Sequence, residues 1–359
     1  MCKQKTETTK IVPRWIDNSE TNAFTVDRPL VSFVVFAYNQ EKYIREAVEG
    51  AFAQTYTPLE IFISDDCSND TTFKIILELV DSYIGPHKVI VQRNESNLGL
   101  AEHISTVMRC VNGELIVAAA GDDISYSNRT ERVAEQWLNN NKESGSIFSL
   151  ADTISQHGHV ISHKTNNVTL KYDLQDRPAE FVQSLGRGTL GCAHAWTKDV
   201  FNIFGELDRR IIQEDISIPL RSMMLGSVTF IQEDLVLYRL NDDTLSRISY
   251  KNSRERSLKM QKYWAGRVAN YEQFDRDMTC ALNQQIVKMN DANWMRSIVV
   301  RERDLALLNY VFFSGGVFTR IIAILTSSRK VSVGRKMKLM LLALFPWLYN
   351  FKAPKFLSQ

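Results

Sequence analysis

Apolar and polar positions change period several times between Pro29 and Asp123, and each change marks an element. Residues 30–39, LVSFVVFAYN, are an apolar, β-branched and aromatic run that stops at Asn39. Such a run predicts a covered strand. In residues 41–54 the apolar positions Tyr43, Ile44, Ala47, Val48, Ala51 and Phe52 recur at helical spacing. The unit then repeats: LEIFIS (59–64) predicts a strand, DDCSND (65–70) a loop, and TTFKIILELVDSY (71–83) an amphipathic helix capped by Asn69 or Asp70. A third strand, residues 89–92, precedes a helix opened at Gly99, and Leu115 to Ala120 (LIVAAA) is uncharged and reads as a central strand.

Strands alternating with helices predict an α/β fold with a mostly parallel sheet and right-handed crossovers. Ligands of such sheets bind at the carboxyl ends of the strands. Asn39, Asp65, Asp66, Asn97, Gly99, Asp122 and Asp123 all follow strands, so the topology predicts that they share one rim. Asp122 and Asp123, delivered by the most apolar strand, suit a hard cation such as Mg²⁺ or Mn²⁺, which takes one or two carboxylates and completes its shell with diphosphate oxygens. The same Gly-Asp-Asp could be a solvated turn. Which of the two acids would hold the cation is open at this level.

Composition narrows the class. The chain has 359 residues, 44% of them apolar, enough for a large core and a smaller module. Five scattered cysteines with no paired spacing read as reduced thiols, and the polar first residues lack the apolar stretch of a signal peptide. Residues 305–359 hold eight Lys or Arg and no Asp or Glu, so the rest of the chain carries more acidic than basic residues. A basic tail rich in Leu, Ile and Phe suits an anionic membrane surface or docking on the protein, and not nucleic acid. Its apolar stretches are short or interrupted, which favours helices lying in the interface over spanning ones.

Later segments are less periodic. Residues 146–151 predict a strand, and residues 152–176 read as a polar loop whose His157, His159 and His163 lack the cysteine partners of structural zinc. Glu214 and Asp215 precede a helical run. A carboxylate there could take the proton of an attacking hydroxyl, or merely cap the helix. Trp264, Tyr271, Phe274, Leu282, Ile286 and Trp294 are spaced as one buried helical stripe without chemistry of its own.

Four stretches, in order, resemble the family 2 glycosyltransferases: PLVSFVVFAYNQEKYIREAVEGAFAQTY, LEIFISDDCSNDTT, NLGLAEHISTVMRCVNGELIVAAAGDD and RRIIQEDISIPLRSMMLG. The resemblance covers residues 29 to about 246. It implies a GT-A fold, a mixed and mostly parallel sheet flanked by helices, and an inverting transfer of sugar from a nucleotide donor such as a UDP- or dTDP-sugar to a glycan or lipid-linked acceptor, in cell-surface polysaccharide synthesis of the O-antigen or capsule kind. On matching positions it implies that Ala37, Tyr38, Asn39, Asp65, Asp66, Asn97 and Gly99 line the nucleotide-sugar pocket. Asp122 and Asp123 stand at the family's metal motif with its first acid replaced by Ala120; one would bind the metal and the other the ribose or a neighbouring donor. Arg239 would face the diphosphate, His194 or Trp196 a sugar, although each could as easily be a core residue, and Asp215, beside Glu214, would be the general base. The expected organisation is an extension (1–27), a GT-A domain (28–250, with halves 28–125 and 126–250), a helical segment (251–304) and the basic tail (305–359), at the cytoplasmic side of the cell membrane. The competing class is a non-catalytic sugar-nucleotide or membrane-binding module of the same fold. A nucleotidyltransferase would need a glycine-rich phosphate loop after the first strand, and FAYNQEKY has no glycine.

Overall fold

In chain order, β1 (Val31–Ala37), α1 (Ile44–Phe52), β2 (Leu59–Asp65), α2 (Thr72–Asp81), β3 (Lys88–Arg93), α3 (Leu100–Met108) and β4 (Leu115–Ala120) repeat the strand–helix unit. The computed structural model describes residues 28–162, 189–240 and 253–326, with residues 334, 336, 337, 339 and 340. The extension 1–27, His163 and most of the basic tail lie outside the described residues. β1 pairs in parallel with β2 and β4, and β2 with β3. Their registers set Ala37 beside Asp65, Asp65 beside Arg93 and Phe36 beside Ala120. The carboxyl ends therefore form one edge.

The chain continues through β5 (Ile124–Ser125), α4 (Arg129–Asn139), β6 (Ser144–Ser155), β7 (Val160–Ser162), a 3-10 turn (Gly191–Ala193), β8 (His194–Thr197), α5 (Asp199–Phe204), α6 (Glu214–Leu225), β9 (Ser227–Leu240), α7 (Ser253–Asn283), α8 (Met289–Ser314) and α9 (Val317–Thr326). The strands form one sheet in the order β3-β2-β1-β4-β8-β6-β9-β5, with β7 on β6. β8 runs antiparallel to β4 and β6, whereas β6 and β9 are parallel. The second half is thus joined directly to the central strand β4.

One sheet face buries Phe33, Val35, Ile61 and Ile63 against Ile44, Val48, Ile76 and Trp137 of α1, α2 and α4. The other buries Val34, Phe62 and Ile116 with α3 and α5. A third cluster joins α6, α7 and α8 through Ile216, Leu220, Tyr271, Phe274, Met278 and Val299. Within it, Arg221 Nε donates to Asp277 Oδ2 at 2.7 Å, and Arg221 Nη1 to the Gly205 carbonyl at 2.8 Å. Both side chains are buried. Tyr271 and Phe274 keep the predicted stripe inside, but Trp294 is 47% exposed, because α8 turns that position outward. α8 also runs unbroken across residues 304 and 305, so the expected boundary falls within one helix.

Candidate active site

The rim begins with the loop after β1. Asn39 adopts φ 52°, a left-handed conformation that asparagine tolerates well. Its N–H donates to Ser68 Oγ at 2.8 Å and its Oδ1 accepts the Asn69 N–H at 2.8 Å. The first two loops are thereby tied together, and Tyr38 is left exposed at the edge. Asp65 accepts the Ser68 N–H at 2.9 Å and the Ser68 hydroxyl, and lies 3.3 Å from Arg93 Nε. It is fully enclosed, so it braces the loop and is not open to a base; burial pushes its carboxyl up while the Ser68 bonds pull it back. This corrects the sequence expectation for Asp65. Asp66 donates its N–H to the Ala37 carbonyl at 2.8 Å, and its carboxylate accepts Asn94 Nδ2 at 2.8 Å and the N–H groups of Leu98 and Gly99 at 2.9 Å. Asn97 Oδ1 also accepts the Gly99 N–H, at 3.0 Å. Gly99 has φ 78°, which a side chain would strain.

Beyond β4, the Gly121 N–H donates to the Phe36 carbonyl at 2.9 Å and returns the chain toward the first loop. Gln40 packs against Gly121 and its Nε2 donates to Asp122 Oδ1 at 3.0 Å. Asp122 is half-buried. Asp123 is buried: its Oδ1 accepts the Arg239 N–H at 2.7 Å, and its carboxylate meets the Cys192 thiol. Burial, and then the charge of Asp122, push the Asp123 carboxyl up to about 8. Two adjacent carboxylates, one held inside, are a donor set that a divalent cation would stabilise. The residues therefore fit Mg²⁺ or Mn²⁺ held by carboxylate and diphosphate oxygens. Among the described residues no group of three or more His, Cys, Asp or Glu is arranged for a metal, and His157 and His159 lie exposed on the surface.

Arg239 sits on the rim but is only 1% exposed. Its Nε donates to the Asp122 carbonyl at 2.9 Å, Nη1 reaches the Ser155 and Gln156 carbonyls at 3.4 and 3.3 Å, and Nη2 pairs with Glu46. With its donors spent on the protein, it anchors the acidic turn and does not present a cation to a diphosphate.

The 3-10 turn connects this turn to the second acidic pair. Cys192 touches Asp123, while its neighbour Gly191 lies against the Glu214 carboxylate so closely that a Cβ would collide with it. Glu214 and Asp215 open α6, and Thr189 Oγ1 donates to the Asp215 carbonyl at 3.2 Å. Both carboxyls are pushed up, first by burial; the charge of Asp215 adds to the effect on Glu214, and Arg267 opposes it at Asp215. A carboxylate with raised affinity for protons is suited to accept one from a hydroxyl.

His194 and Trp196 do not reach the site; of the two readings the sequence left open, both residues take the core one. His194 is enclosed, stacked on Phe148 with ring centroids 4.0 Å apart, and Nε2 is 2.9 Å from Ser146 Oγ. Trp196 Nε1 donates to Met108 Sδ at 3.4 Å within the core. Both lie on β8, flanked by β4 and β6, where side chains are covered on both faces. Gln40, Gly191 and Cys192 also belong to this region; nothing local in the sequence marks Gln40, whereas Gly191 and Cys192 fall in a run of small residues before β8.

Residues 32–183 match the sequence profile described as Glycosyl transferase family 2. Residues 32–183 are thus a family 2 glycosyltransferase domain. A Mycobacterium tuberculosis protein of unassigned activity is 38% identical over 94 residues, 26% of this chain and 27% of its own length. EpsE of Bacillus subtilis, named as a glycosyltransferase, is 31% identical over 29% of this chain and 37% of its own length. The chain thus matches only 27% and 37% of the length of these two relatives. Among solved structures, S. aureus TarS 1-349 superposes with TM-score 0.53 at 12% identity, covering 89% of this chain and 91% of that one. A mannosyltransferase of Pyrobaculum calidifontis, in complex with GDP-Man and Mn²⁺, superposes with TM-score 0.50 at 16% identity, covering 91% of this chain and 82% of that one. The glycosyltransferase domain has the GT-A fold, a mixed sheet flanked by helices.

Proposed function

We propose that the chain is an inverting glycosyltransferase that moves one sugar from a nucleoside diphosphate donor to a hydroxyl of a glycan or lipid-linked acceptor. The observation that supports this most is the 3-10 turn, whose Cys192 touches Asp123 and whose Gly191 touches Glu214, so that two acidic pairs distant in sequence adjoin one another. Asp122, half-buried and oriented by Gln40, is the cation ligand; Asp123 is the inner brace. A bound cation would offset charge building on the departing diphosphate. Asp66 retains acceptor capacity on Oδ2 for the N3–H of a uracil or thymine ring, beside Tyr38 and Asn39. Asp215 takes the proton of the acceptor hydroxyl as its oxygen forms the new bond to the anomeric carbon on the face opposite the departing diphosphate. Gln40, Asn39 and the Asp66 loop fix the donor in line for that attack.

The donor class is supported by the GDP-Man of the mannosyltransferase and by TarS 1-349, also described in complex with UDP-GlcNAc. Chondroitin synthase of Escherichia coli, 30% identical over 138 residues and 19% of its length, supports a polysaccharide acceptor. Membrane association is supported by the basic tail and by Ile322 and Leu325, exposed on α9; among the described residues no helix is long and apolar enough to cross a bilayer.

The test is single-turnover release of nucleoside diphosphate from a panel of UDP-, dTDP- and GDP-sugars with Mn²⁺. We expect release from one donor class, and loss of acceptor transfer by at least ~10²-fold in Asp215→Asn. Binding of a donor without any release would instead identify a sugar-nucleotide-binding module.

A further inference from the structure

The turn after β1 sends one side chain back across the rim. Gln40, half-buried, is anchored by its backbone N–H, which donates to the Thr72 hydroxyl at the start of α2 at 2.7 Å. Its side chain then joins two loops: Oε1 accepts the Tyr38 N–H at 3.2 Å, and Nε2 donates to Asp122 Oδ1 at 3.0 Å. Gly121 lies against the same amide, where a Cβ would collide with Oε1 and come within 3.0 Å of Ile44 Cδ1. The two partners also fix which way the amide points. Turned over, it would set an N–H against the Tyr38 N–H and an oxygen against a carboxylate oxygen, both repulsive, so the N–H faces Asp122.

A bond from an amide N–H to a carboxylate oxygen is charge-assisted and stronger than one between neutral groups. It commits Oδ1, so Asp122 has at most one oxygen to give a cation. Hard divalent cations differ in what they need from such a ligand. Mg²⁺ demands a near-ideal octahedron, which the narrow bite of a two-oxygen carboxylate distorts, whereas Ca²⁺ takes roughly six to eight oxygens in a flexible shell and gains from a carboxylate that supplies both. Mn²⁺ shares the octahedral preference of Mg²⁺. For Asp122 to offer both oxygens, Oδ1 would have to give up Gln40 Nε2, and the clamp of Thr72, Tyr38 and Gly121 keeps that amide in place.

We propose that Gln40 sets the cation preference of the site, restricting Asp122 to one ligand oxygen and so favouring Mg²⁺ and Mn²⁺ over Ca²⁺. The proposal rests on the reading of Asp122 as the cation ligand and adds a selector to it. Gln40 is a positioning residue, because it acts through the carboxylate and not on the cation itself. Without its amide, Asp122 is free to turn and offer both oxygens, which helps Ca²⁺. The smaller ions lose a ligand already held in position, and removing such a hydrogen-bonded support typically weakens metal affinity by ~10–100-fold.

The experiment titrates Mg²⁺, Mn²⁺ or Ca²⁺ into the full-length protein in the presence of UDP, dTDP or GDP and follows the rise in melting temperature, for the wild type, Gln40→Ala and Asp122→Asn. The readout is the ion concentration that gives half the rise, and no turnover is involved. In the wild type, Mg²⁺ and Mn²⁺ should act at lower concentration than Ca²⁺. In Gln40→Ala the Mn²⁺ requirement should rise by about tenfold or more while that for Ca²⁺ stays or falls, so the preference narrows by at least that factor. A merely structural role predicts that all three ions weaken together. That parallel loss, an unchanged response, or a wild type that takes Ca²⁺ as readily as Mn²⁺ overturns the proposal while leaving Asp122 as ligand. Asp122→Asn should lose the response to every ion; an undiminished Mn²⁺ response in it, or no ion response in the wild type, overturns the reading of Asp122 and the proposal with it. Should Gln40→Ala fail to fold, Gln40→Met keeps the length of the side chain without its amide, and its Ca²⁺-to-Mn²⁺ ratio decides in the same way.

Discussion

Asp122 and Asp123 are chemically identical neighbours that the fold makes different. Asp122 is half-open and held by Gln40, whereas Asp123 is buried and spent on the Arg239 backbone and Cys192. Asp122→Asn should leave the fold intact, lower transfer by about 10²-fold or more, and abolish any Mn²⁺-dependent rise in melting temperature. Asp123 gives a stability prediction of definite sign. Its folded carboxyl titrates at about 8 against an ordinary 3.8, so the folded form favours the protonated acid, and its contribution is lost as pH rises from about 4 through 8. In the presence of a chelator, Asp123→Asn should therefore melt several degrees above the wild type at pH 8, with the gap closing toward pH 5; scanning calorimetry at the two pH values checks it. Residue type and place after a strand made these acids visible in the sequence. Their division of labour was not, because it depends on Arg239 and Cys192, which are distant in sequence. The same reason explains Arg239, His194 and Trp196: the family resemblance put them near the site, but only packing reveals that their polar groups are already occupied or enclosed.

At the scale of elements, β1 to β4 and their helices were legible because covered parallel strands read as unbroken apolar runs and their helices as regular stripes. β9 was not, since SVTFIQEDLVLYRL mixes Gln, Glu and Asp into the strand and its pairing with β6 shifts register. The role of α7 was also hidden: the stripe from Tyr271 to Phe274 announced a packed helix, but nothing local announced that Arg221 and Asp277 would lock it to α6. That buried pair ties α7 to the C-terminal half of α6. Asp277→Ala leaves Arg221 uncompensated in the interior and should cost about 3–5 kcal/mol, read as a fall in the denaturation midpoint. Replacing an exposed pair such as Arg109 with Glu206 should cost less than about 1 kcal/mol.

For the whole molecule, the proposed membrane association rests on the charge division between an acidic body and a basic apolar end. Changing Arg329, Lys330, Arg335, Lys336 and Lys338 to Gln should reduce sedimentation with phosphatidylserine vesicles and leave it unchanged with neutral ones; equal sedimentation before and after would reject the membrane reading. The central claim, that acids from separate segments are gathered around one sugar-nucleotide pocket, is tested most directly by melting the wild type and Asp122→Asn against UDP-, dTDP- and GDP-sugars with and without Mn²⁺. We predict a Mn²⁺-dependent rise for one donor class in the wild type and none in the variant. No rise with any donor, or the same rise in both proteins, would contradict it.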